Sequence, residues 1–290
     1  MADANDLPTP LVSTDWLAAH LGADDLVVID ASWRMPGKGD ARDEYQKRHI
    51  PGAVFFPIDE IADRATPLPH MLPSPEAFEE AVGALGICEK DRIVVYDDQG
   101  LFSAARVWWT LRAMGAENVA VLDGGLPKWL AEGRLVSDAP PSPHAKCFSA
   151  TFAAHRVADS RRVKAAIASG SETVLDARPS GRFSGAEAEP RAGLRSGRMP
   201  CAKSVPSGSL VGPDGRLKPR EELRAIFDAA GVSVEHPVIT TCGSGVTAAI
   251  ISLALEALGH GPHALYDGSW AEWGLKGNNP EDFPVEAGEA

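Results

Sequence analysis

The sequence predicts an α/β protein made of two tandem domains, each a mainly parallel sheet covered by helices. Self-similarity is the first reason. Shifted by 144 residues, Val94–Trp129 lies over Val238–Trp273 without a gap, with identities at Val94/Val238, Ala104/Ala248, Ala105/Ala249, Leu111/Leu255, Ala113/Ala257, Gly115/Gly259, Ala120/Ala264, Asp123/Asp267, Gly124/Gly268 and Trp129/Trp273. Ordinary composition would give only about two or three matches in such a window. Upstream, VVIDA ending at Ala31 matches TVLDA ending at Ala177, and Pro51 and Ala53 match Pro200 and Ala202. A repeat this long is a duplicated domain and not a solenoid unit. The second reason is alternation, since short β-rich runs separated by helical patterns give a parallel, helix-covered sheet.

In chain order, the first copy has strands at Leu26–Asp30, Ile93–Asp97 and Val119–Leu122, with a helix opened by Ser74 and Pro75, a cap followed by proline in the first turn. The second copy has strands at Thr173–Asp176, Val238–Thr241 and Ala264–Tyr266, and a helix start at Pro219-Arg220-Glu221-Glu222. The domains are expected at 1–137 and 157–290, joined by a linker at 138–156 that carries Pro140, Pro141 and Pro143.

Composition narrows the function. With 28 Lys+Arg against 40 Asp+Glu the 290-residue chain has a formal charge of −12, which repels polyanions and argues against nucleic-acid or anionic-membrane binding. The N-terminal stretch is acidic, its first Lys or Arg being Arg34, so no export signal is expected and the location expected is cytoplasmic. Pro237–Leu255 is free of formal charge, but Thr240, Thr241, Gly243, Ser244 and Gly245 interrupt it, so it reads as strand, turn and buried helix. Cys88, Cys147, Cys201 and Cys242 are scattered, without zinc-ligand spacing, and are expected to be reduced thiols.

Cys242 is set apart by its neighbours. CGSG falls between the strand PVITT and the apolar run GVTAAIISLALEAL, at the sheet edge where parallel folds bind ligands. Gly243 and Gly245 let the backbone curl, turning N–H groups inward beside a helix N-terminus, and such a cradle favours thiolate over thiol. The ungapped repeat sets Asp98 opposite Cys242, so the first copy lacks the nucleophile; Asp97 and Asp98 are expected to form an inactive loop at the domain interface. A second cluster comprises Arg178, Arg182, Arg191, Arg195 and Arg198, with only Glu187 and Glu189 among them. As a group these suggest bidentate capture of an anionic substrate.

With CGSGVT in the second copy, aspartate at the equivalent place in the first, and the closers DGG…W and DGSW…W, the chain resembles the rhodanese superfamily from about Leu11 to Gly274. Its thiosulfate-using members typically carry two basic residues after the cysteine; Gly243 and Ser244 match the mercaptopyruvate-using branch. The resemblance implies sulfur transfer from 3-mercaptopyruvate through a Cys242 persulfide to a thiol such as thioredoxin, or to cyanide, with no metal or organic cofactor. It further implies that Arg182 in GRF and Arg191 in EPR hold the donor's carboxylate and ketone, and that Gly243, Gly245, Val246 and Thr247 complete the loop. Ser244, His70 in HMLP and Asp59 in FFPIDE correspond to the family's proton relay. GRMPCA at 197–202 departs from the family's usual GHIPGA and brings in Cys201. Phosphatases with a related cysteine loop need arginine six residues after the nucleophile, where this chain has Ala248. Catalytically dead relatives that serve as binding modules commonly lack the cysteine.

Overall fold

In the computed structural model, which describes residues 7–35, 37–233 and 236–288, each copy folds around its own five-stranded parallel sheet. The first contains β1 (Leu11–Val12), β2 (Leu26–Asp30), β3 (Val54–Phe55), β4 (Arg92–Tyr96) and β5 (Val119–Leu122), in spatial order β1-β5-β4-β2-β3. The second contains β6 (Val157–Ala158), β7 (Thr173–Asp176), β8 (Lys203–Ser204), β9 (Val238–Thr241) and β10 (His263–Tyr266), in the matching order β6-β10-β9-β7-β8. The strand pairings within the two sheets are parallel. The central strands β4 and β9 are covered on both faces, which is why RIVVY and VITT lack the alternation of a half-exposed strand.

The long strands lie within a residue of their expected positions, while the two-residue edge strands β1, β3, β6 and β8 had no periodicity by which to be found. The helix Pro75–Ala84 is capped by Ser74, whose hydroxyl accepts the Ala77 N–H, and Arg220–Ala229 follows Pro219. After β9 the turn is longer than CGSG. Its helix spans Ala248–Leu258, so Val246 and Thr247 belong to the loop. No helix among the described residues is long and apolar enough to cross a membrane.

Apolar side chains from strands and helices pack together within each copy. In the first, Val94, Tyr96, Ala120 and Leu122 pack with Trp129; in the second, Ile239, Ala264 and Tyr266 pack with Trp270 and Trp273. The paired tryptophans also anchor chain that follows them, Trp129 Nε1 donating to Leu135 O and Trp273 Nε1 to Pro284 O. The proline-rich stretch after Ser137 has no helix or strand before Ala154, yet it is bound in place: Lys146 N–H donates to Gly83 O, Lys146 Nζ bonds Asp91 at 2.9 Å, and Phe148 is buried edge-on against Phe78.

Two short segments pack away from the copy that carries them in sequence. One compact unit takes residues up to Ala62, Pro73–Ala153 and Gly212–Leu217; the other takes Asp63–Leu72, Ala154–Val211 and the chain from Lys218. Each exchanged segment is held by the aspartate that follows the fifth strand of its unit. Asp123 Oδ1 accepts the Leu217 N–H at 3.0 Å, and Asp267 Oδ2 accepts the Leu72 N–H at 2.8 Å.

Candidate active site

The loop after β9 holds Cys242 with its side chain buried, only 2% exposed. Its backbone is fixed by the turn after β10. The Cys242 N–H donates to Ser269 Oγ at 3.2 Å, Ser269 Oγ donates to Tyr266 O at 2.8 Å, and Trp270 and Ala271 N–H donate to the carbonyls of Cys242 and Gly243, each at 2.9 Å. Ser269 sits at φ 48°, a left-handed conformation that side chains other than glycine's adopt at a cost. Its counterpart in the first copy is Gly125, at φ 53°. The sequence reading missed Ser269, although serine in place of glycine within the repeat was a visible signal.

Backbone hydrogen bonds correct the alignment of the two loops. Ala31 N–H donates to Tyr96 O and Ala177 N–H to Thr241 O, both at 2.8 Å; Leu126 N–H donates to Asp97 O and Trp270 N–H to Cys242 O. The residue equivalent to Cys242 is therefore Asp97 and not Asp98, and the first copy's loop contains one additional residue before its helix, Ala104–Ala113. A single-residue insertion cannot be seen when the sequences are aligned without gaps.

Asp97 demonstrates what this loop does with an anion. Its carboxylate is wholly buried, Oδ1 accepting the Gln99 N–H at 2.9 Å and Oδ2 the N–H groups of Phe102, Ser103 and Ala104 at 2.7 to 2.9 Å. Burial raises its pKa, and the donated N–H bonds oppose that rise. Asp98 points elsewhere and pairs with Arg34. Around Cys242 the residues corresponding to Phe102, Ser103 and Ala104 are Val246, Thr247 and Ala248 at the head of an eleven-residue helix, whose dipole adds positive potential. Gly245 supplies the required turn at φ 79°.

Two arginines approach this loop. A Cβ on Gly243 would lie 3.1 Å from Arg182 Nη2 and 3.8 Å from Arg191 Nη1, so glycine leaves room for both guanidinium groups. His70 is buried, 6% exposed, on the segment Asp63–Leu72, and its Nε2 lies 3.4 Å from Arg191 Nη2. Ser244 is buried within the loop itself. Cys242, Gly243, Ser244, Gly245, Val246, Thr247, Arg182, Arg191 and His70 thus belong to one compact unit. Asp59 belongs to the other, where its Oδ2 accepts the Trp33 indole N–H at 2.8 Å.

The five arginines do not act as one cluster. Arg178 is fully buried, bound to Asp176 and Glu189 and stacked 4.0 Å over Trp270. Arg195 donates to Trp273 O, and Arg198 to Gly288 O near the C-terminal end of the described chain. Composition could reveal the excess of guanidinium but not which carboxylates and carbonyls consume it. Glu189, also missed as a site residue, bridges Arg178 and Arg182. Cys201 is exposed at φ 59°. Among the described residues, no group of three or more His, Cys, Asp or Glu side chains is arranged to hold a metal ion.

Comparison with known proteins adds four findings. The family described as Rhodanese-like domain matches twice, at residues 13–132 and 159–276. The chain is 43% identical over 280 residues to the 3-mercaptopyruvate sulfurtransferase of Escherichia coli strain K12, covering 96% of this chain and 98% of that protein. It is 42% identical over 303 residues to the mitochondrial thiosulfate/3-mercaptopyruvate sulfurtransferase 1 of Arabidopsis thaliana, covering 97% and 79%. A crystal structure of an E. coli 3-mercaptopyruvate sulfotransferase superposes with a TM-score of 0.84 at 42% identity, over 91% of this chain and 99% of that one.

Proposed function

The chain belongs to the rhodanese-like domain family, and on that premise we propose that it is a sulfurtransferase taking sulfane sulfur from 3-mercaptopyruvate through a persulfide on Cys242. The observation that carries the proposal is Asp97, because a carboxylate at the position equivalent to Cys242 collects four loop N–H groups. The Cys242 loop, lacking that carboxylate, has the backbone to receive an anionic sulfur in its place.

In the first half-reaction the Cys242 thiolate attacks the donor's thiol sulfur. A sulfur–sulfur bond forms, the carbon–sulfur bond breaks, and its electron pair leaves as the enolate of pyruvate. The donor's thiol proton passes to the enolate carbon, leaving the Cys242 persulfide anion and pyruvate. Ser244, His70 and Asp59 are proposed as the relay that moves this proton. Arg182 and Arg191, whose guanidinium groups lie beside Gly243, would hold the carboxylate and ketone. In the second half-reaction a thiolate, as of thioredoxin, or cyanide takes the outer sulfur and restores the Cys242 thiolate.

The neutral residues after the cysteine favour this donor over thiosulfate. Thiosulfate is a compact dianion that needs cations next to the attacking sulfur, whereas Gly243 and Ser244 provide none. We also propose a cytoplasmic location, supported by free thiols at all four cysteines. Incubation with mercaptopyruvate alone, followed by intact-mass measurement, should add one sulfur atom to the wild type and none to Cys242→Ser. Labelling of the variant would contradict the assignment of the nucleophile.

A further inference from the structure

The proposed donor site contains a buried carboxylate that the reaction itself does not require. Asp176, Arg178, Glu189 and Arg182 form a continuous chain of ion pairs. Arg178 binds both oxygens of Asp176, with Nη2 2.6 Å from Oδ2, and its Nη1 lies 2.7 Å from Glu189 Oε1. Glu189 then grips Arg182 with both oxygens, Oε1 accepting from Nε at 3.2 Å and Oε2 from Nη2. The side chains of Asp176, Arg178 and Glu189 are each 1% exposed; Arg182 is 19% exposed and is the member that reaches Gly243.

Two carboxylates and two guanidinium groups sum to zero charge. Asp176 and Glu189 flank Arg178, and Glu189 is also the carboxylate paired with Arg182. Arg182 therefore reaches the cysteine loop with its hydrogen-bond donors in place but with much of its field cancelled by a carboxylate from which water is excluded. Such a group suits a substrate with one delocalised negative charge, which gains directed hydrogen bonds. A compact dianion gains less, because its binding depends on uncompensated positive charge.

We propose that Glu189 determines donor charge selectivity, holding Arg182 in position and lowering the positive potential at the loop so that monoanionic α-keto acid thiols are preferred over dianionic sulfur donors. This rests on the sulfurtransferase reading above. Glu189 acts through Arg182, as a positioning and specificity residue.

The test is the ratio of kcat/KM for mercaptopyruvate to kcat/KM for thiosulfate, measured on one preparation of each variant so that any loss of folded protein cancels. Glu189→Gln removes the charge and keeps the shape; its ratio should shift at least about fivefold toward thiosulfate. Glu189→Asp keeps the charge, so its ratio should remain within about twofold of wild type even if both efficiencies fall. A Glu189→Gln ratio equal to wild type, or an equal shift in both variants, overturns the assignment. Wild-type protein inactive with mercaptopyruvate would instead overturn the sulfurtransferase reading on which it rests.

Discussion

Asp30 and Asp176 end equivalent strands, and the residue two positions later gives them different surroundings. After Asp176 comes Arg178, which neutralises it inside the core. After Asp30 comes Ser32, which donates its N–H at 2.9 Å and hydrogen-bonds through its side chain but brings no positive charge. Burial consequently raises the Asp30 carboxyl to about 6 against the hydrogen bonds that lower it, with the Asp98 charge adding to the rise. A folded-state value above the unfolded one means that the native protein binds the proton more tightly. Asp30 thus contributes stability below about pH 4, and that contribution is lost as pH rises from about 4 to 6, amounting to about 3 kcal/mol. Denaturant titrations of wild type and Asp30→Asn across pH 4 to 7 should diverge over that interval. Parallel curves would show that Asp30 is not titrating there.

Loops that look alike in a repeat can do opposite electrostatic work. In the first copy, Asp97 closes the loop over the start of Ala104–Ala113 with a built-in anion; in the second, the corresponding loop opens on Cys242. Asp97→Ala would leave four N–H groups without their carboxylate and should lower stability by about 3 kcal/mol, read from the denaturation midpoint, while sulfur transfer per folded molecule persists. A loss below about 0.5 kcal/mol would mean that the loop is held by its other contacts. CGSG between an apolar strand and an apolar helix was legible because it depends on neighbours in sequence. The slip from Asp98 to Asp97 was not, because only the ladder bonds of Tyr96 and Thr241 fix the register. The placement of His70 was equally hidden. It follows from the Leu72 N–H meeting Asp267, a contact between residues 195 positions apart.

Across the molecule, duplication carried most of what could be read in advance. It gave the two sheets, their central strands and the paired tryptophans, since those features recur at fixed spacing and are buried on both sides. Short edge strands and exchanged segments escaped, as two residues carry no period and segments such as Asp63–Leu72 are assigned by tertiary packing. Pairing hid the arginines' roles in the same way, with Arg178, Arg195 and Arg198 committed to structure and Arg182 and Arg191 beside the loop. The proposed reaction uses a monoanionic sulfur donor, and steady-state comparison of two donors with a common acceptor decides it. Mercaptopyruvate should give a kcat/KM at least about tenfold above that of thiosulfate, a difference of about 1.4 kcal/mol in transition-state binding. Equal efficiencies, or a preference for thiosulfate, would contradict it.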